Sequence, residues 1–106
     1  MPKYLVNVSY TADGVKGVQK DGGTKRRDVA THAVEGLGGK VEAFYFSFGP
    51  HDAVVIVDLP DNAAAAALSL AVAATGSVRL ATTPLLTAEE MDRASQTKTA
   101  YKAPGA

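Results

Sequence analysis

Residues 40–59 read KVEAFYFSFGPHDAVVIVDL, two apolar runs joined through Gly49-Pro50-His51-Asp52. Gly and Pro in succession punctuate regular structure, and Asp bonds turn amides with its own side chain. The stretch therefore predicts a β-hairpin with a four-residue turn. Side chains alternate along a strand, so the first run sets Phe44, Phe46 and Phe48 on one face and Val41, Ala43, Tyr45 and Ser47 on the other. The second run, Ala53 to Leu59, is apolar on both faces. A strand of that kind sits in the middle of a sheet and is covered on both sides.

Outward from the hairpin, each flank holds a helical segment and then a strand. Tyr4 to Tyr10 alternates Tyr4, Val6, Val8 and Tyr10 against Leu5, Asn7 and Ser9, a period-two strand. Thr11 to Lys20, with Thr11 as N-cap, predicts a short helix or turn cut off by Gly22-Gly23. Thr24 then caps a helix whose Val29, Ala30, Ala33, Val34 and Leu37 share one face, and Gly38-Gly39 end it. On the other side Asp61 caps an Ala-rich helix over residues 63–74, stopped by Gly76. Val78 to Thr83 predicts a fourth strand, and Thr87 with Glu90 forms a capping box for a helix near residues 88–95. The order strand, helix, strand, strand, helix, strand predicts an α+β, ferredoxin-like βαββαβ domain with an added C-terminal helix. Its four-stranded antiparallel sheet carries both main helices on one face, with the first and third strands central.

Length and composition bound what this domain does. At 106 residues it is one domain, read as residues 1–95 with a tail over 96–106. Eleven basic residues cancel eleven acidic ones, which removes the clustered cationic charge that drives nucleic-acid binding. No cysteine is present, which excludes disulfides, thiolate zinc sites and cysteine nucleophiles. Two scattered histidines do not make a metal site, and no cofactor is expected. The opening MPKYLVNVSY lacks the apolar core of a leader, and no apolar run approaches the roughly 20 residues that span a bilayer. A cytoplasmic protein without membrane or nucleic-acid partners is the expectation.

Two helices cover one face of the sheet, yet the central strand is apolar on both. Four strands at ~4.8 Å spacing and ~17–20 Å length present on the order of 350 Å². A patch that size seldom stays in water. Either a second copy packs sheet on sheet about a two-fold axis, or the C-terminal helix folds back over the face.

The runs SYTADGVKGVQKDGG at 9–23, LGGKVEAFYFSFGPHDAVVIVDLPDN at 37–62 and TTPLLTAEEMD at 82–92 together resemble the GYD domain family across nearly the whole chain. That resemblance implies a ferredoxin-like fold and dimeric α/β-barrel association, possession of a homodimer and no assigned activity. The family's Gly-x-Tyr-Asp motif reads Gly49-Pro50-His51-Asp52 here, with His in the Tyr position. Small cofactor-independent monooxygenases and muconolactone-isomerase-like enzymes share the same dimeric barrel, an analogy of fold that carries no site with it.

The candidate site residues follow from this geometry. His51 can act as general base or bind an anion, with Asp52 beside it as a ligand-binding candidate; otherwise His51 is a turn residue and Asp52 accepts from turn amides. Asn7, Ser9, Tyr45 and Ser47 are the polar members of strands whose opposite faces are apolar. They would line either a small-molecule pocket or a wet interface between copies. Arg79 can reach the same space and clamp a carboxylate, or stay solvated on an edge strand. Gly22, Gly23, Thr24 and Lys25, followed by Arg26 and Arg27, are a candidate anion site at a helix start, or a solvated basic turn. His32, between Asp28 and Glu35, reads as a solvated helix face. The leading expectation is a homodimeric binding module for a small, partly apolar molecule held between paired sheets. The alternatives are a cofactor-free enzyme of monooxygenase or isomerase type with His51 as general base, and a structural or regulatory partner with no ligand.

Overall fold

A computed structural model describes residues 1–106. It contains β1 (Lys3–Tyr10), α1 (Ala12–Asp21), α2 (Gly23–Gly36), β2 (Lys40–Phe46), β3 (Ala53–Asp58), α3 (Asn62–Ala73), β4 (Val78–Leu85) and α4 (Ala88–Gln96). The strands form one antiparallel sheet in the order β2-β3-β1-β4, so β1 and β3 are central. The fold is α+β and ferredoxin-like, with the first crossover split into α1 and α2.

The buried face of the sheet is built from the alternation read in the sequence. Tyr4, Val6 and Val8 of β1 pack with Ala53, Val55, Val57 and Leu59, and with Val34 of α2 and Ala65 of α3. The hydroxyl of buried Tyr4 donates to Asn62 Oδ1 at 2.6 Å, which ties β1 to the start of α3. α2 lies chiefly against β2 and α3 against β4.

The caps follow side-chain chemistry where it is present. Thr11 accepts from the Gly14 amide, Asp61 accepts from the Ala64 amide, and Thr87 with Glu90 makes a reciprocal capping box. Thr24 does not cap α2. The N-cap is Gly22, whose φ of 81° turns the chain straight from α1 into α2 and leaves Thr24 inside the first turn.

The hairpin departs from its reading in two ways. β2 stops at Phe46, so the connection is Ser47–Asp52 rather than the last four residues alone, closed by the Ser47 amide on the Asp52 carbonyl at 2.9 Å. Phe48 consequently lies outside the strand, fully exposed, instead of continuing the face of Phe44 and Phe46. A bulge also interrupts the pairing between Val41 and Ala43. It inserts one residue, so Val41 pairs with buried Val57 and joins the helix-side core rather than the face of Ala43 and Tyr45. β4 runs two residues further than Thr83, through Pro84, which an edge strand tolerates because one side of its backbone has no ladder to serve.

The opposite sheet face has no layer over it. α4 buries none of its residues and does not pack back onto the sheet. The radius of gyration is 16.8 Å, with a longest extent of 56 Å. A rounded chain of this length has a radius near ~13 Å. No helix is long and apolar enough to cross a membrane.

Candidate ligand face

Directly paired residues of antiparallel strands share a face, so the register lays out the uncovered side of the sheet row by row. One row runs Ala43, Ile56, Leu5, Thr83, and the next runs Tyr45, Val54, Asn7, Ala81. Leu5, Val54 and Ile56 form a half-buried apolar centre, with Asn7 as the polar group set among them. Tyr45 stands on the outer strand with 69% of its surface exposed.

Polar groups close both ends of this face. At one end Lys3 Nζ donates to Asp58 Oδ1 at 2.8 Å and meets Glu42 Oε2 at 3.2 Å. The Asp58 bond, aided by Glu42, holds the ammonium above its ordinary pKa. Glu42 arrives there because the bulge inserts it beside Ala43. At the other end Ser9 lies opposite Arg79 in the register, and the Ser9 hydroxyl is 3.4 Å from His51 Nδ1. Ser47 Oγ donates to the His51 carbonyl at 2.8 Å, which holds the turn against the strand end. Arg79 is exposed on edge strand β4.

Asn7, Ser9, Tyr45 and Arg79 thus share one face, with His51 against Ser9 at its end. Asp52 is engaged elsewhere. Its Oδ2 accepts from the Tyr10 amide at 2.7 Å while its own amide donates to the Val8 carbonyl at 2.8 Å. The adjacent His51 and Asp52 therefore do not bond each other through their side chains but hold two different partners on β1.

At the start of α2 the cations are compensated. Lys25 Nζ and Arg26 Nη1 both lie 3.5 Å from the Asp21 carboxylate, and Arg27 lies 3.4 Å from Asp28. Cations repel a helix N-terminus, and Asp21 supplies the negative charge that this end favours. Gly22, Gly23 and Thr24 are exposed there, and His32 is exposed further along the same helix.

Two features escaped the sequence reading. Glu42 joins the ionic end of the open face only through the bulge. Tyr10 and Arg26 meet at the edge of the helix-side core, where burial pushes the Tyr10 phenol up from its ordinary pKa of 10.0 against the opposing pull of the Arg26 guanidinium. Alternation placed Tyr10 on that side, but Arg26 stood in a run of three cations with nothing to single it out.

Comparison with curated proteins and with solved structures finds no match in either. A family model does match, that of the GYD domain, over residues 4–95. With the strands but for Lys3, the crossovers and the hairpin inside that span, the chain belongs to the GYD domain family.

Proposed function

We propose that the protein works as a homodimer whose two sheets face each other and enclose a site for a small, partly apolar molecule. The observation that carries this reading is the uncovered sheet face, an apolar centre of Leu5, Val54 and Ile56 bounded at both ends by polar groups. Its own C-terminal helix leaves that face open, so the alternative cover considered from the sequence is not used. A second copy supplies an equally apolar surface and buries both. Asn7, Ser9, Tyr45 and His51 would then offer donors and acceptors inside a mostly hydrocarbon space, the usual makeup of a small-molecule site. Arg79 and Ser47 would stand at its entrance.

A binding role fits the polar groups better than acid–base catalysis by His51. A general base is oriented by a third group, and the nearest carboxylate in sequence, Asp52, is committed to the Tyr10 amide. Sedimentation velocity at micromolar concentration tests the assembly. A dimer of the 10.9 kDa chain that becomes a monomer on Ile56→Lys is the expected result, and a monomeric wild-type protein overturns the reading. Thermal-shift screening with small metabolites tests the site. Stabilisation that persists in His51→Ala supports binding, whereas turnover abolished by that change supports the enzyme.

A further inference from the structure

A second space lies on the other side of the sheet. Between the helices and the sheet is a partly enclosed cavity of about 130 Å³. Its floor includes Val8 and Val55, and its walls include Ala33 of α2 and Leu68 and Val72 of α3. The cavity follows from side-chain size. α2 buries only Val34 and borders the space with half-buried Ala30 and with Ala33 exposed at its mouth, and α3 is largely alanine, so the two helices stand over a valine floor without filling the gap. An apolar cavity of about 150 Å³ in another protein stays dry and takes up benzene. The volume here is close to that size.

One charged residue lines the cavity, Arg26. Its side chain is 28% exposed, so the guanidinium spans the apolar interior and the solvent. It lies against the Tyr10 phenol, another residue of the same wall. Arg26 contacts Asp21 at 3.5 Å, but Lys25 reaches the same carboxylate at the same distance. Asp21 therefore keeps a cation if Arg26 turns to another anion. Asp52, the other carboxylate near Tyr10, is held by the Tyr10 amide.

We infer that this cavity is a ligand site, one per chain, for a small carboxylic acid with a compact hydrocarbon body, a monocyclic aromatic or branched aliphatic acid. The carboxylate lies on Arg26 with the Tyr10 hydroxyl as second donor, and the body fills the space over Val8 and Val55. The charge-assisted contact sets orientation, and the apolar volume sets the size limit. The site is complete within one chain and does not rest on the pairing of sheets.

Titration of the full chain with benzoate, toluene and acetate, read by calorimetry and thermal shift at neutral pH, tests this. Benzoate is expected to bind with a stoichiometry of one per chain and raise Tm. Toluene lacks the carboxylate and acetate lacks the body, so both are expected to bind at least about tenfold more weakly, a factor worth 1.4 kcal/mol. Arg26→Gln should lower benzoate affinity about tenfold or more and leave toluene unchanged. Ala33→Leu should fill the cavity, raise Tm without ligand and remove binding of both. Ile56→Lys, on the opposite sheet face, should leave benzoate binding intact. Absence of saturable benzoate binding at millimolar concentration overturns the proposal, as does binding indifferent to both Arg26→Gln and Ala33→Leu. Loss of binding in Ile56→Lys overturns it too, because the ligand then sits between the sheets.

Discussion

Ser9 and His51, far apart in the chain, stand side chain to side chain at one end of the uncovered sheet face, with Ser9 Oγ 3.4 Å from His51 Nδ1. β1 carries the serine and the hairpin connection carries the histidine, so the contact reports whether the connection is seated on the central strand. The pair is half-buried and long for a hydrogen bond, so its share in stability is small. Ser9→Ala is expected to change unfolding free energy by no more than about 0.5 kcal/mol in urea titrations. A ligand between the sheets is expected to bind several-fold more weakly to that variant.

Asp52 anchors the same connection more firmly, because a carboxylate bonded to a backbone amide at 2.7 Å is charge-assisted. Removing it leaves the Tyr10 amide without that partner and loosens the turn. Asp52→Ala is expected to cost about 1–3 kcal/mol, with Asp52→Asn intermediate, measured by chemical denaturation.

Gly14 is buried where α1 crosses the start of β4, and a Cβ there would collide with the Ser77 carbonyl oxygen. That same oxygen accepts from the Thr11 amide at 3.0 Å, so it cannot give way without losing a bond. Helix propensity favours alanine, but the collision dominates. Gly14→Ala is expected to destabilise by about 1–3 kcal/mol. A melting temperature equal to wild type would contradict this account of the joint.

Glu90 accepts from the Thr87 amide at 3.0 Å, and this bond is the main reason its carboxyl titrates below its ordinary value of 4.5. A depressed folded-state pKa means that the folded helix end binds its proton less tightly than the unfolded one. The stabilisation is present above about pH 4.5 and is lost as pH falls through the folded value. Helical signal from α4 is expected to decline in that acidic window. Glu90→Gln keeps an acceptor for the Thr87 amide and should flatten the decline, which residue-resolved NMR shifts across α4 would check.

Tyr10 is shifted in the opposite sense. Burial is the leading cause of its raised pKa, Asp52 adds to it and Arg26 opposes it. The folded state holds the phenolic proton more tightly, so this contribution is complete below about pH 10 and disappears as pH rises through the folded value. Ultraviolet difference absorbance is expected to show a phenol step above about pH 10 that Tyr10→Phe removes.

The fold was legible because its signals are local. Alternation in β1, the short apolar run of β3, the Asp61 cap and the Thr87–Glu90 box each depend on residues a few positions apart, and all stand in the structure. The misreadings arose where a neighbour in space decides. Val41 changed face because the β3 ladder admits Glu42 as a bulge, a choice of pairing that Val41 itself does not encode. Thr24 lost its capping role to Gly22, whose positive φ joins two helices without a loop. The shared face of Asn7, Ser9 and Tyr45 could be read from period two. The partner of Asp52 could not, because the Tyr10 amide reaches it only once β1 and β3 are paired. The space beside Arg26 depends on how far apart two helices settle, which no single segment carries.

α3 has one further consequence. Its buried contact with the domain is Ala65, helped by half-buried Leu68, while Leu70 is 72% exposed. High intrinsic helicity and a small anchoring surface let such a segment lift away as an intact rod while the strands beneath stay paired. Its amides should therefore take up deuterium through a shallow, partial opening, well before those of Val55 and Val57, whose protection reports the whole domain coming apart. Breathing of this kind renews the interior's access to solvent without unfolding the sheet.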